Sequence, residues 1–404
     1  MKVWTHAWVM LGFSAAPVWA AEMAWVQLDP QAMAWTKAAI ESKEPSLQAA
    51  WAEFQKDVEA ARSAPLQDIR DKKHPAPSGN PQDYATLSTY VWPNPSTPDG
   101  LPWIHKDGVT NPQTQEYDRP KLNLAVRSAA ALGLSAYWTG SRPDAERAAA
   151  HVRAWFIDPA TRMNPHLKFA QFIPGKSQGE WHGIIEMSVV VESYFFDALR
   201  VVHGMGALTE DEMKSLQGWF REYLAWLEAD PMGKACSDRN NNIATCMELQ
   251  KAAMWAFVGE PGKARAVLQA FGPERIASQI DARGMMPHEM GRTKSMGYSA
   301  KNLNYHLQAA LLAKNLGVDL AGYRSPEGTS LRRALDAQRE FWTGGKKWEG
   351  RQIVDYPWVR SLRGLRMAAW LFEEAALHAE ASKLPAPQPG ELASDRVNLL
   401  YPAR

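Results

Sequence analysis

The chain has 404 residues, 46% of them hydrophobic and 22% charged, which excludes a disordered or collagen-like polymer and leaves room for a large core. With 45 Lys and Arg against 44 Asp and Glu, the net charge is +1, so no bulk basic field points to nucleic acid. The outlying number is 18 Trp. A Trp ring and its N–H need partners, so the surplus goes either into a Trp-rich core or into platforms for flat ligands such as sugars.

In chain order, Lys2 opens a short apolar run, Ala7-Trp8-Val9-Met10-Leu11-Gly12-Phe13, that ends on Val18-Trp19-Ala20-Ala21. A basic start, a short apolar stretch and small residues at a cleavage site describe a secretory signal peptide, and the stretch is too short for a spanning helix. Cleavage is expected after Ala20, with Ala21 as the alternative. It removes Lys2 and no acid, leaving 44 basic against 44 acidic residues. The expectation is a signal peptide over 1–20 and one exported domain over 21–404, periplasmic or secreted, with no membrane contact after cleavage. Cys236 and Cys246 are too few for a zinc knuckle or a disulfide framework. They can pair only where no continuous helix holds them apart.

Residues 31–62 have helical apolar spacing through Ala34, Ala38, Ile40, Leu47, Trp51 and Phe54,. Residues 64–117 differ: Pro75, Pro77, Pro81, Pro93, Pro95, Pro98 and Pro102 forbid long helices,. Tyr84, Tyr90, Trp92 and Trp103 are interleaved with them, which predicts a packed loop. Loops of that length tend to be functional or disordered. From Asp118 onward helix follows helix, expected over 120–140, 143–156, 183–204, 209–229, 241–258, 260–281, 298–316, 328–342 and 362–382. Ser141-Arg142-Pro143-Asp144, Thr209-Glu210-Asp211, Glu260-Pro261-Gly262 and Ser325-Pro326-Glu327-Gly328 punctuate them,. The tail after Pro385 reads as a terminal extension. The pattern predicts an all-α fold of antiparallel helix pairs with one long aromatic-rich loop, an α/α toroid (an incomplete α/α barrel) or a helical solenoid.

Four clusters carry candidate chemistry. The loop Tyr90-Val91-Trp92-Pro93-Asn94-Pro95, Asp99-Gly100-Leu101-Pro102-Trp103-Ile104 and His105-Lys106-Asp107-Gly108 mixes rings, amides and a cation. Its rings either plug one end of the helical assembly or form a sugar platform, with Lys106 near an acid group. Glu180-Trp181-His182-Gly183 stands at a loop-to-helix junction, where His182 is either a structural hydrogen bonder or a proton-transfer group. In Arg239-Asn240-Asn241-Asn242-Ile243 one Asn suffices to cap a helix,. The other amides need partners, and carboxamides donate well to a carboxylate or an enolate oxygen. Glu289-Met290-Gly291-Arg292, followed by Tyr298 with Asn302 one turn on, sets a cation near a phenol. That arrangement favours phenolate, so Tyr298 is expected to accept a proton below its free pKa of about 10. Metal-ligand spacing, a glycine-rich phosphate loop and a nucleophile elbow are all missing from the sequence, so no cofactor or metal is expected.

With these motifs in order, the chain resembles the alginate lyase superfamily of polysaccharide lyases from about Pro75 to about Gly317. Tyr90-x-Trp92-Pro93-Asn94-Pro95 followed by Asp99-Gly100-Leu101-Pro102 and Asp107-Gly108…Asn111 matches its Y-x-W-P-[DN]-P…[DG]-G-L-P signature. Asn241-Asn242 matches its Asn-Asn-His element, and Glu289-x-x-Arg292-Thr293-x-Ser295-x-x-Tyr298 its E-L-x-R-T-x-S-x-x-Y element. The resemblance implies an α/α toroid and metal-independent β-elimination on β-1,4-linked uronic acids. Asn242 and Arg292 would neutralise the substrate carboxylate, and Tyr298 would transfer protons. The family's His after Asn-Asn falls on Ile243, since Thr245, Glu248 and Gln250 keep the register. Either Tyr298 is then both base and acid, the favoured reading, or His182 supplies the imidazole from another helix.

This departure points away from the family's best-known alginate enzymes and toward glucuronan, mannuronate-rich alginate or a similar polymer. Asn241, Tyr90, Trp92, Trp103, Lys106, Arg239, Glu289 and Trp181 are expected to bind the acidic polysaccharide. Two rivals stand beside the lyase. A glycoside hydrolase would need two facing carboxylates from Glu180, Glu186 and Glu289. A non-catalytic binding protein for an acidic polysaccharide would tolerate loss of Tyr298.

Overall fold

In a computed structural model, residues 24–385 and 395–403 are described; the expected signal peptide lies outside them. Helix α1 spans Pro30–Glu41 and α2 Gln48–Ser63. After the Pro-rich segment come α3 (Asp118–Thr139) and α4 (Arg142–Val152), the latter continued by a π turn over Arg153–Ile157. A 3₁₀ segment (Trp181–Met187) leads into α5 (Ser188–Glu192), α6 (Phe195–Gly204), α7 (Glu210–Ala229) and α8 (Pro231–Ser237). Then follow α9 (Asn242–Phe257), α10 (Pro261–Phe271), the short α11 (Pro287–Met290), α12 (Ser295–Asn315), α13 (Leu331–Trp342), α14 (Val359–Leu371), α15 (Ala375–Ala381) and α16 (Asp395–Leu400).

Helices α2, α3, α6, α9, α12 and α14 run around a ring. Each packs on the next, α9 meeting α5 and α6 together, and α16 lies against both α14 and α2. Sequence neighbours pair with ring members, α4 with α3, α10 with α9, and α15 with α14. The fold is an all-α toroid. Its hairpins follow from capping. Gly140, at φ 71°, ends α3 by donating its N–H to the Ala136 carbonyl, and the Ser141 hydroxyl starts α4 by accepting from Asp144 N–H,. Thr209 and Glu212 form a reciprocal capping box at the start of α7,. Where α3 crosses α6, a Cβ on Gly133 would sit 2.8 Å from the Ala198 Cβ and 2.9 Å from its carbonyl oxygen. Glycine there permits the close approach.

The Trp surplus goes largely into the core: Trp138, Trp155, Trp219, Trp255, Trp342 and Trp370 are buried. The Pro-rich segment is packed, as expected. Tyr84 is fully buried, and the strands are short: β1 (Ala85–Leu87) pairs in parallel with β4 (Phe169–Phe172), and β2 (Val91–Trp92) is antiparallel to β3 (Ile104–His105).

Several expected helices are broken, each for a backbone reason. The 31–62 segment divides at Lys43 (φ 56°) before Pro45, 183–204 at Tyr194 (φ 58°), and 362–382 at Glu373 (φ 55°). All three sit in the left-handed region that a right-handed helix cannot accommodate. The 260–281 helix loosens into a π turn at Gly272-Pro273, where proline has no N–H to continue the ladder. The helix expected from 328 starts at Leu331, because Gly328 (φ 79°) closes a turn onto the Ser325 carbonyl and Ser330 is the cap.

The described residues of the tail, 395–403, dock on the ring. The Thr36 hydroxyl donates to the Leu399 carbonyl (2.6 Å), Trp370 Nε1 donates to the Pro402 carbonyl (2.9 Å), and Arg396 pairs with Asp57 (3.4 Å). Cys236 and Cys246 lie on separate helices, yet both thiols are free and buried. Burial pushes each thiol up to about 12, which leaves them inert at neutral pH.

Candidate active site

A cavity of about 500 Å³ opens where five segments meet: Ser88–Asp107 of the Pro-rich stretch, Arg119 at the start of α3, Gln171–Ile185, the start of α9, and the α11–α12 junction running on to Lys301. It brings together residues from all four clusters singled out in the sequence.

At α9, Asn241 is the cap. Its side-chain oxygen accepts from Ile243 N–H (3.1 Å) and Ala244 N–H (3.4 Å), leaving its amide nitrogen for the cavity it lines. Asn242, the first helical residue, has a free main-chain N–H that donates to Glu289 Oε1 (2.6 Å), and its amide nitrogen lies 3.0 Å from both Glu289 oxygens. One amide proton aimed between those oxygens serves both contacts, and the second stays available to a ligand. Glu289, only 1% exposed, therefore sits behind the wall: it orients Asn242 and does not meet a substrate itself. Burial raises its carboxyl pKa against the pull of Asn242 and Arg292.

Arg292 is pinned by Asp107, its Nη2 donating to Oδ1 at 2.6 Å and its Nε at 3.2 Å. Thr293 fixes the same carboxylate through its N–H (3.1 Å) and hydroxyl (2.9 Å). The guanidinium lies 4.1 Å from the centre of the Tyr298 ring, a cation–π contact. The Tyr298 and Tyr90 hydroxyls are 2.7 Å apart. The expected drop in the Tyr298 pKa does not occur. Burial, reinforced by Tyr90, outweighs Arg292 and raises it well above the ordinary phenol value. Tyr298 is a neutral proton donor in the free protein.

His182 comes from the 3₁₀ segment. Gly183 lets that segment lie close on β4, since a Cβ there would be 2.7 Å from the Ala170 carbonyl oxygen. The imidazole Nε2 is 3.3 Å from the Ser88 hydroxyl, and burial lowers its pKa to about 4 against an opposing pull from Glu180. It is neutral at physiological pH and can accept a proton. Trp181 lines the same cavity and stacks under Arg239, whose guanidinium is 4.5 Å from the ring centre. Ile243 also lines it and packs against the core.

Some expected binders lie off the cavity wall. Trp103 packs against Leu87, Val91 and Ile173, so its ring fills a small core under the loop. Trp92 donates Nε1–H to the Val109 carbonyl (3.0 Å) and has Lys106 Nζ 5.5 Å from its ring. These two make an exposed cation–π pair beside His105, which does line the cavity.

His105 and Asp107, named in the sequence only as parts of the aromatic loop, line the site, and so do three residues outside the four clusters, Arg119, Gln171 and Lys301. Lys301 was findable, being three residues after Tyr298 on one helix and so on the same face. Arg119 and Gln171 carry no local signal. Gln171 holds a left-handed backbone (φ 53°) fixed by its N–H donating to the Thr86 hydroxyl (2.8 Å), a strained conformation of the kind found at functional sites. Three cations (Arg119, Arg292, Lys301) face the cavity against one carboxylate, Asp107, so an anionic ligand is favoured. The hydrolase alternative loses its basis: Glu186 and Glu289 are each 1% exposed, and neither they nor Glu180 line the cavity. Among the described residues, no group of three or more His, Cys, Asp or Glu side chains is arranged to hold a metal.

The Alginate lyase family model matches residues 68–348. A crystal structure of an alginate lyase from Bacteroides ovatus superposes with a TM-score of 0.87 at 28% identity, covering 94% of this chain and 99% of that one. Alginate lyase A1-III from Sphingomonas species A1 superposes with a TM-score of 0.55 at 15% identity, covering 86% of this chain and 94% of that one. A substituted form of the latter enzyme, complexed with a tetrasaccharide, gives 0.51 at 16% identity over 86% and 93% of the two chains. At those identities the Sphingomonas likeness is one of fold. No curated protein matches the chain.

Proposed function

The chain belongs to the alginate lyase family and is a polysaccharide lyase, and from that premise we propose that it cleaves a β-1,4-linked polyuronate, mannuronate-rich alginate or glucuronan, by metal-independent β-elimination. The observation that carries the reading is the presence, in one cationic cavity, of a half-buried neutral imidazole and a phenol under a guanidinium.

The hydrogen on carbon 5 of a uronate is weakly acidic, because its removal adds negative charge next to a carboxylate. Arg292, held by Asp107, and the free amide protons of Asn241 and Asn242 receive that carboxylate. Preorganised donors of this kind stabilise an enolate-like transition state. His182 takes the carbon-5 proton. The electron pair forms the carbon 4–carbon 5 double bond and expels the glycosidic oxygen, which takes the Tyr298 hydroxyl proton. The proton on His182 returns to Tyr298 through solvent or through Tyr90, 2.7 Å away. This assignment departs from the sequence preference for Tyr298 in both roles, because a phenol with a raised pKa is a poor resting base.

The pH profile tests it. With His182 at about 4, kcat/KM should hold constant from pH 7 down to pH 5 and fall through an acid limb centred near 4, where the imidazole gains a proton. A limb near the free value of about 6.5 would remove His182 as the base. Folding must be followed in parallel. His151, His182 and His306 all have folded pKa values of about 4, below the unfolded one. Their contribution to stability is complete above about pH 6.5 and is lost as pH falls from there toward 4.

A further inference from the structure

Arg292 is only one of the cations in the cavity. Lys301 and Arg119 also line it, and neither touches the Asp107 carboxylate that holds Arg292. Lys301 Nζ is 3.7 Å from Glu192 Oε1, and its side chain is 23% exposed. Arg119 Nη1 is 3.8 Å from Glu186 Oε1; Arg119 is 34% exposed and Glu186 1%. Neither glutamate is on the wall of this cavity: Glu186 is buried behind Arg119, and Glu192, 24% exposed, lines a separate small cavity. Both glutamates are also claimed by hydroxyls: Tyr84 and Thr86 each donate to Glu186 (2.7 Å each), and Tyr305 donates to Glu192 (2.5 Å). Burial, with Arg360 and Arg119 pushing the same way, lowers the Lys301 pKa despite Glu192. Its ammonium is under-compensated where it faces the cavity.

We propose that Lys301 and Arg119 form a second carboxylate-binding subsite, so that the cavity takes two adjacent uronate residues and the protein selects unbroken runs of uronic acid over polymers in which uronate alternates with neutral sugar. This rests on the polyuronate lyase reading above. In a β-1,4-linked uronan every residue carries a carboxylate, so a chain whose scissile residue is held at Arg292 brings a neighbouring carboxylate into the same cavity. A neutral neighbour would desolvate Lys301 and Arg119 and leave them only the long contacts to Glu192 and Glu186, 3.7 and 3.8 Å, which is how a polar site disfavours an analogue lacking the matching group. Lys301 is thus a specificity-determining residue, distinct from the groups that move protons.

The test compares polymannuronate with the same polymer after partial reduction of its carboxylates to hydroxymethyl groups, by kcat/KM for wild type, Lys301→Met and Lys301→Arg. The expected result is a wild-type preference for the intact polymer that falls roughly 10- to 100-fold in Lys301→Met, the span of one charged hydrogen bond, and persists in Lys301→Arg. Lys301→Arg guards against a folding artefact. A Lys301→Met loss that is equal on both polymers, leaving the preference unchanged, overturns the proposal. Equilibrium binding of a tetra-uronate is read alongside and needs no turnover. If wild type yields no unsaturated product on polymannuronate, the comparison is run on glucuronan and its partly reduced form, and no product there either means that the lyase reading fails. The subsite still stands if Lys301→Met weakens tetra-uronate binding by the same factor, and falls if binding is unchanged.

Discussion

Tyr298→Phe is expected to cut kcat by on the order of 10³-fold on a polyuronate while leaving the fold intact, the middle of the range for removing a general acid or base. The variant keeps the ring and hence the Arg292 contact at 4.1 Å, and it deletes one hydroxyl–hydroxyl bond to Tyr90, a stability loss of about 1 kcal/mol. Binding should change little, because the carboxylate ligands are untouched. The loss therefore falls on kcat and not on KM. Steady-state kinetics with a thermal melt separates the two, and activity within tenfold of wild type would remove Tyr298 as the acid.

Arg292→Ala should cost roughly 10²- to 10³-fold in kcat/KM, the range for removing one preorganised donor at a developing oxyanion, and it should act on both kcat and KM. The reason for the double effect lies in Asp107. Arg292 lowers the Asp107 carboxyl well below the usual range against the effect of burial, and without the guanidinium that carboxylate stays ionised and faces the cavity. The balance on the wall changes from three cations and one anion to two and one, with the anion next to the incoming substrate carboxylate. Arg292→Ala combined with Asp107→Asn should therefore recover part of the KM loss and none of the kcat loss. If the second substitution lowers activity further, Asp107 acts on the substrate directly and not through Arg292.

Much of this site could be read from the sequence because it sits on short contiguous motifs. Asn241 caps α9 and Asn242 turns to Glu289, so three consecutive Asn residues did signal more than a cap. Tyr298 and Lys301 share a face by helical spacing alone. What could not be read is what depends on packing between distant segments. The pKa of Tyr298 is raised first by burial and then by Tyr90, 208 residues away in sequence, so local reasoning from Arg292 alone gave the wrong direction. The aromatic loop looked uniform in composition. Yet Tyr90 enters the cavity while Trp103 packs beneath the loop against Leu87 and Val91, and only the strand pairing decides which ring goes where. The helix breaks at Lys43, Tyr194 and Glu373 were invisible for a different reason: none is a glycine or proline, yet each takes a left-handed backbone, and at Lys43 and Glu373 the next N–H closes back onto the helix end, Glu44 onto Ala39 and Glu374 onto Ala369,.

The most direct test of the central claim is ultraviolet absorbance during incubation of the protein with mannuronate-rich alginate and with glucuronan, with and without a chelator. A rise on at least one of them, unchanged by the chelator, is the predicted result, since elimination leaves a conjugated double bond at each new non-reducing end. New reducing ends without any rise in absorbance would mean that water cleaves the bond, and would contradict the account.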